Sequence, residues 1–580
     1  MAQDERPLES NAGDAPVKRA NYEDIEAASP RNDKHKVENA ELAGVKLAAA
    51  TEWKKRDIII IYTGLFLMNF VVYLDTSTVA TITPLVLSQF DALSKGGGMS
   101  SISYLAIAAL KPAFSKLADA FGRAEAYCVA LAFHTLAYVI SAAAQSFGMY
   151  FAANVLVSVG QTGFSVILYI VIADIIPLLS RGSFQSYLSI PSLTNAYLGP
   201  VIATALVASS WRWVFILLNI LGVICSIPIM YVLFAVQSRA KKKLKAETEM
   251  YESIEEVPTK PLSIQSLRQR FVRIMTELDV VGVVLLIGGT IMILGPISLG
   301  FPAHYGWNSA MVLGLIISGV VCLIIFLMYE IYVSVYPVLP LRLLANRNVG
   351  GGLISVIIYY CSTNLTLYFI NAFLQVTRDA DMQEASMLQL GFTAGATVGQ
   401  IVAGWLMQWS GRYRRWMWLA YSLLTLGTGL MIRLKGADIT AAEIGIVQAV
   451  TGIGGGALYC TTLIGVQAAV EPADVAIATT FFAFMSFYGG AIGEAASSAF
   501  WTYLLPRKLE GNLLPGMDIA KIINDVTYIK SLTPAQNAIV KQAYIETQRD
   551  VSITGTIILG VGSIGLLFMK GYDLRQKTKN

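Results

Sequence analysis

Fourteen long apolar stretches run through this 580-residue chain, at about 58–82, 99–119, 126–144, 149–172, 186–208, 213–235, 279–299, 311–332, 349–373, 386–407, 416–434, 441–465, 475–502 and 551–569. Each is near the roughly 20 residues that an α-helix needs to cross a hydrocarbon core. A chain that is 55 % hydrophobic and only 14 % charged has too little polar surface for an ordinary water-facing fold. An all-α polytopic membrane protein is therefore expected.

An even number of crossings puts both termini on one side, and the basic residues say which. Lys54, Lys55 and Arg56, Lys116 and Arg123, Arg181, the Arg239 to Lys245 cluster, Arg342 and Arg347, and Arg412, Arg414 and Arg415 fall in one set of connections; the other set holds Lys95, Arg212, Arg378, Arg433 and Lys435. Positive charge concentrates on the cytoplasmic side, so both termini are expected there, although the connection after the twelfth stretch carries Glu471 and Asp474 and no base. The net charge of +4 is spread over these short connections and does not form the single basic face that nucleic acid requires. Residues 1–57 are polar, lack apolar periodicity and are expected to be a disordered cytoplasmic tail, with the first stretch acting as the insertion signal.

The chain repeats itself. Ser115-Lys116-Leu117-Ala118-Asp119-Ala120-Phe121-Gly122-Arg123, at the end of the second stretch, returns 289 positions later as Gly404-Trp405-Leu406-Met407-Gln408-Trp409-Ser410-Gly411-Arg412, and Gly163 and Gly452 keep the same offset. Two related halves that rock about a central site are the architecture of a secondary transporter. The offset divides the chain into a six-helix bundle over 58–236, a cytoplasmic linker over 237–278, an inserted helix pair with its connection over 279–348, a second six-helix bundle over 349–570 and a cytoplasmic tail over 571–580. The linker opens with a basic cluster that reads as a stop-transfer flank or as a contact for lipid headgroups. The long connection 503–550 reads equally as a binding or gating element or as a tolerated insertion.

Ionisable residues deep in apolar stretches are the main pointers to function, because a charge at a helix centre costs about 2.5 to 3.5 kcal/mol. Asp75, Lys111 and Glu494 are of this kind. Asp75 or Glu494 is expected to carry a coupling proton, with Lys111 as counter-charge or anion contact; the alternative is a structural Asp75–Lys111 pair. The ninth stretch sets Tyr360, Asn364, Tyr368 and Asn371 on one helical face, a pattern that suits a bulky oxygen-rich ligand or a polar packing stripe. Tyr73 beside Asp75 joins the binding candidates. Asp119, Gly122, Arg123, Gly411 and Arg412 are candidates for an inner gate: Asp119 is badly placed for its own helix dipole, and Arg123 can pair with it across the Gly122 turn. His134 reads as a packing residue. The five cysteines lie in apolar stretches, so neither a disulfide framework nor a metal site is expected, and no catalytic triad, paired carboxylates or nucleotide-binding motif is present. An enzyme is not expected, nor a cofactor.

Leu117, Asp119, Gly122 and Arg123 resemble the Gly-x-Leu-x-Asp-x-x-Gly-Arg signature of the major facilitator superfamily, with Ser115 departing at the first position. Leu74-Asp75-Thr76-Ser77-Thr78 is similar to the Leu-Asp-x-Thr motif of its fourteen-helix branch. Lys116 to Glu125, Ala173-Asp174 with Arg181-Gly182, Trp211-Arg212-Trp213-Val214-Phe215 and Glu277-x-Asp279-x-x-Gly282 resemble the fungal siderophore-iron transporter family. Proton-coupled drug exporters carry an arginine in the fourth helix and a Gly-x-x-x-Gly-Pro-x-x-Gly-Gly run in the fifth; here Asn154 to Gly163 has no arginine, and the run is reduced to Asn195, Gly199-Pro200 and Ala203-Thr204. The resemblance implies import of ferric siderophores by proton symport and alternating access, by a monomer in a fungal plasma membrane or an endosomal or vacuolar one. Iron would travel inside its organic chelate. The rivals are the same fold with another cargo, such as haem, glutathione or a drug-like compound moved by proton antiport, and a nutrient receptor that binds without transporting.

Overall fold

The computed structural model describes residues 53–175, 188, 190–252, 279–298, 308–334, 341–433, 440–471, 474–510, 514–515 and 517–572. Most of the proposed N-terminal tail, most of the linker and most of the C-terminal tail lie outside these residues. The first half consists of α1 (Lys55–Gln89), α2 (Gly96–Ala120), α3 (Arg123–Ala143), α4 (Phe147–Ile175), α5 (Pro191–Val207) and α6 (Arg212–Glu252). The inserted pair is α7 (Val280–Ser298) and α8 (Ala310–Tyr332). The second half follows as α9 (Arg347–Leu367), α10 (Ile370–Thr377), α11 (Met382–Leu388), α12 (Leu390–Ser410), α13 (Tyr413–Leu430), α14 (Ala441–Gln467), α15 (Val475–Glu510), α16 (Ile519–Asn524), α17 (Val526–Lys530) and α18 (Pro534–Phe568). Ten segments of the described residues are long and apolar enough to cross a membrane by length and composition. A described helix lies at every one of the fourteen apolar stretches.

Several helices outrun their apolar stretches, for local reasons. α6 continues through Arg239 and Lys245 because Ala, Lys, Leu and Glu are strong helix formers once the chain leaves the bilayer. The connection after the thirteenth stretch is largely helical: α15 runs to Glu510, Asp518 and Asp525 accept from the first backbone N–H groups of α16 and α17, and Thr533-Pro534 opens α18. The ninth stretch breaks at Tyr368-Phe369 into α9 and α10, and the tenth breaks at Gln389 into α11 and α12.

Packing repeats between the halves. In the first, α1 packs on α5 and α6, α4 on α2 and α3, and α3 on α6. In the second, α9 packs on α15 and α18, α14 on α12 and α13, and α13 on α18. Exchanging the halves also carries the α2–α15 contact onto the α12–α5 contact. Gly122 (φ 118°) and Gly411 (φ 69°), 289 positions apart, are the two glycines of positive φ among the described residues. Each turns the chain sharply at the same point of its half, where a Cβ would be strained. Gly163 meets Ala130 of α3 and Phe114 of α2; Gly452 meets Phe392 and Ala396 of α12.

α7 and α8 pack on each other, and α7 also touches α2 and α15. Asp279 ties the pair together, accepting from the Gly282 amide and from Ser334 Oγ at 2.9 Å. The outer face of α8 exposes Ile317, Val321, Ile324 and Met328.

The buried core is not uniform along the helices. At the end away from the chain termini, one cluster joins both halves: Leu87, Leu93, Met99, Tyr150, Trp211 and Phe215 from the first with Phe369, Phe373, Trp501, Leu505 and Tyr544 from the second. Toward the termini the halves have separate cores, around Ile61, Tyr127 and Val171 in one and Met407, Tyr413 and Leu566 in the other. Each half there makes its own stitches: Arg239 of α6 pairs with Asp57 of α1, Gln237 donates to Glu125, and Asn348 bonds to Tyr413 and to the backbone of Lys570. The shared cluster thus seals the halves at the far end; nearer the termini their main cores are separate, and Ala108 of α2 joins a cluster of α7, α9 and α15.

The chain between α15 and α18 lies across the sealed end as a strap. Ser94 Oγ donates to Asn524 Oδ1 at 2.6 Å, the Val526 amide donates to Ser88 Oγ at 3.1 Å, and Ile522, Val526 and Ile529 are buried in the shared cluster. The segment is thus packed against the opposite half and is not a loose loop. A Ser94→Cys, Asn524→Cys pair, in a background without the native cysteines, is expected to form a disulfide on oxidation and to abolish transport until reduced. Undiminished turnover of the cross-linked protein would show that the strap does not have to move.

Candidate functional site

The polar groups expected to act lie at the seam between the halves and just behind it. The seam is formed by α2 and α15, which run antiparallel. Ser101 Oγ donates to the Ala491 carbonyl at 2.7 Å, Ser498 donates to the Ser94 carbonyl, and a Cβ on Gly97 would lie 2.5 Å from the Glu494 carbonyl. That backbone approach is what the small residues of both helices permit. Tyr104 and Phe487 meet across the seam as tilted rings with centroids 5.5 Å apart, and Lys111 Nζ sits 4.1 Å from the Phe487 centroid. Lys111 therefore makes a cation–π contact. It has no carboxylate partner among the described residues, and the structural pair with Asp75 is not formed.

Glu494 faces the same seam, 4 % exposed, within electrostatic reach of Tyr104 and Tyr368; its Oε2 makes no hydrogen bond. Tyr368 shares a hydrogen bond of 3.2 Å with Ser100 across the halves. Asp75 lies elsewhere, enclosed by α1, α3 and α4. Gln161 Nε2 of α4 donates to Asp75 Oδ2, while Oδ1 has no partner. The Tyr138 hydroxyl of α3 approaches the carboxyl without closing a hydrogen bond of normal geometry. His134, one turn before Tyr138, stacks on its ring at 4.4 Å and is buried with neither ring nitrogen hydrogen-bonded. The structure thus gives Asp75 and Glu494 different surroundings: one inside the first half, the other between the halves.

Between the separated halves lies a ring of tyrosines. Tyr169 of α4 is 55 % exposed, yet it stands within electrostatic reach of Tyr73 of α1 and of Tyr360 and Tyr459 in the second half. Exposure beside residues of both halves means that its ring faces the cleft and not lipid. Tyr360 is 4.8 Å from Tyr359 and 6.1 Å from Tyr459, centroid to centroid. One tyrosine at least thus comes from each of α1, α4, α9 and α14. Asn364 donates to its own helix at the Tyr360 carbonyl, 2.9 Å, and adjoins Gly490. Asn371 is separated from this group by the break at Tyr368-Phe369; its amide donates to Ser386 Oγ at 2.9 Å and its carbonyl accepts from Gln375. It bonds α10 to α11 and does not reach the cleft.

At the terminal end, Gly122 forms its corner against Glu125 and Gln237. The side chain of Asp119 lies outside the described residues, and Arg123 is engaged in contacts of its own. Gly411 closes α12, its amide donating to the Met407 carbonyl at 2.8 Å; Arg412 is exposed.

Gln161, Tyr169, Tyr459, Tyr104 and Tyr138 were not singled out by sequence reasoning. The repeat carried a signal for one pair: shifting Tyr169 by 289 lands one residue before Tyr459. No group of three metal-ligating side chains occurs among the described residues.

A family model described as Major Facilitator Superfamily matches residues 65–336, and one described as Fungal trichothecene efflux pump (TRI12) matches residues 257–541. Among curated relatives, the chain is 28 % identical to the siderophore iron transporter mirC of Emericella nidulans, covering 91 % of this chain and 86 % of that one. It is 29 % identical to the MFS siderochrome iron transporter C of Aspergillus fumigatus, covering 87 % and 82 %. With siderophore iron transporter 2 of Schizosaccharomyces pombe it shares 27 % identity, covering 93 % and 92 %. Among solved structures, a bacterial homologue of the human lysosomal transporter Spinster, inward-facing and occupied, aligns with a TM-score of 0.56 at 12 % identity over 89 % of this chain and 97 % of that one. A peptide transporter POT variant aligns with a TM-score of 0.54 at 12 % identity over 88 % and 95 %.

In a cysteine-free background, Tyr169→Cys is expected to react with a membrane-impermeant maleimide applied from the terminal side, whereas Asn371→Cys stays unlabelled. Equal protection of both would mean that the tyrosines do not face an open cleft.

Proposed function

The chain belongs to the major facilitator superfamily, and on that premise we propose that it imports ferric siderophores by proton-coupled alternating access. Membership places it among transporters, not enzymes. The observation that carries the cargo assignment is the tyrosine-lined cleft, read together with relatives named for siderophore iron transport along most of the chain. Phenol rings stack on a bulky chelate, their hydroxyls replace some of its water, and no protein ligand is needed for the iron.

In this reading Tyr73, Tyr169, Tyr360 and Tyr459 form the cargo surface, with Asn364 and Tyr368 at its edge. Asp75 and Glu494 carry protons. Glu494 sits at a joint that must part when the far end opens, so its charge state is tied to closure, while Asp75 reaches the cleft through Gln161. Lys111 on the Phe487 ring offsets negative charge at the seam. Gly122, Arg123, Gly411 and Arg412, with Asp119, form the inner gate. We read fourteen spans, two bundles of six plus the inserted pair, in a monomer of the plasma membrane or of an endosomal or vacuolar membrane, with both termini cytoplasmic and lipid around α7 and α8.

A second reading, export of a drug-like compound, is favoured by the match to the trichothecene efflux model over 257–541. Proteoliposomes with an imposed pH difference and a panel of ferric chelates and drug-like compounds separate the two by direction and by cargo. Accumulation of an iron chelate with the proton gradient is expected; movement of no chelate under any gradient overturns the cargo assignment. Asp75→Asn and Glu494→Gln are each expected to lower gradient-driven uptake about tenfold or more, equivalent to about 1.4 kcal/mol, with protein still reaching the membrane. Unchanged uptake in both variants would remove them from the coupling.

A further inference from the structure

Asp75 is 3 % exposed, and its one hydrogen bond comes from a side chain that is itself only half-buried. Gln161 bridges 86 residues of sequence, from α4 to α1, and the same α4 presents Tyr169 to the cleft two turns further on. The titratable groups that face Asp75 among the described residues are Tyr138 of α3 and Tyr150 of α4; His134 lies behind Tyr138. α5 and α6, which also pack on α1, contribute Asn195, donating to the Phe70 carbonyl, and Ser226, donating to Met68 Sδ: both neutral. Among the described residues no cation pairs with Asp75, and the donors to its charged form are the Tyr138 hydroxyl beside it and the Gln161 amide, of which the amide closes the hydrogen bond.

We propose that Gln161 is the positioning residue that links the protonation of Asp75 to cargo binding: the ionised carboxylate holds the amide, and the protonated acid releases it to the cleft. The chemistry is asymmetric. A carboxylate accepts from N–H at about twice the strength of a neutral acceptor. A proton taken up at the unpartnered Oδ1 removes the charge, and the Gln161 contact at Oδ2 falls to the strength of one between neutral groups, weak enough for a ligand to compete for the amide. The acid O–H can then be taken by the Tyr138 oxygen, which stands beside the carboxyl, while the freed amide offers its donors and carbonyl to an oxygen-rich ligand. One proton gained on Asp75 is exchanged for one amide gained by the cleft, with no other group changing charge. This rests on the proton-coupled reading of Asp75.

The test uses the full-length protein with wild type, Gln161→Leu, Gln161→Asn and Asp75→Asn. A cargo-independent arm follows the Asp75 carboxyl stretch by infrared difference spectroscopy against pH, with Asp75→Asn identifying the band. The midpoint is expected to move by about one pH unit in Gln161→Leu, as loss of a hydrogen bond to a charged group predicts, and to move less in Gln161→Asn. An unmoved midpoint overturns the proposal whether or not a chelate is ever found to bind. The cargo arm measures affinity for whichever ferric chelate the uptake panel identifies, at two pH values on either side of that midpoint. Wild type is expected to bind more tightly at the lower pH, Asp75→Asn to be insensitive to pH, and Gln161→Leu to bind about 2- to 12-fold more weakly without pH dependence. A wild-type pH dependence retained in Gln161→Leu would place the coupling elsewhere. Absence of any chelate binding would defeat the cargo reading and leave the infrared arm to decide the role of Gln161.

Discussion

The joint between α2 and α15, continued by the apolar cluster that both halves share, is the contact from which the rest of the molecule takes its meaning. Backbone approach at Gly97 and Glu494, the Ser101 and Ser498 hydrogen bonds and the Tyr104–Phe487 ring contact bind the two bundles along this joint. Hydrogen bonds of this kind contribute about 0.5–1.5 kcal/mol each. Each is small enough that a ligand with unequal affinity for the joined and parted states can offset several of them. Had the separate cores around Tyr127 and Tyr413 been fused as well, the cleft would be an interior and no exchange could occur.

Buried acids are costly, and two of the five among the described residues, Glu494 and Asp75, are kept under different conditions. Glu494 lies where the halves meet, with one oxygen unbonded, and is exposed to whatever that joint does. Asp75 lies inside one bundle, where the half-buried Gln161 donates to it. A carboxyl at a moving joint senses conformation, while one behind a bridging amide senses occupancy. The two positions would thus divide, under the proposed coupling, the tasks that such a carrier must combine.

Much of the architecture was legible in the residues because both of its signals are periodic. Apolar length places each helix, and the 289-residue offset between Gly122 and Gly411 survives in the backbone as a pair of positive-φ turns. What escaped was of two kinds. Segments outside the bilayer obey capping chemistry, not hydropathy, so Asp518, Asp525 and Thr533 built helices in what read as a loop. Partners in three dimensions are invisible to spacing: Asp75 found Gln161 and not Lys111, and Lys111 found an aromatic face. The stripe Tyr360, Asn364, Tyr368 and Asn371 was sound as helical geometry but failed at Asn371, because the helix it assumed breaks at Tyr368-Phe369. The tyrosine ring needed four helices at once, and one stretch read alone could supply only its own member.

The strap across the sealed end has its roots in one half and its grip on the other. Lys508 pairs with Asp550 and Lys541 with Asp379, all within the second half, while Asn524 and Val526 hold the turn between α1 and α2. Its apolar side chains belong to the same buried cluster as the aromatic plug beneath. Strap and plug therefore share one surface, and water admitted under either wets both. The far mouth of the cleft should behave like a latch with a single threshold, open or shut with little in between, and not like an aperture that widens by degrees.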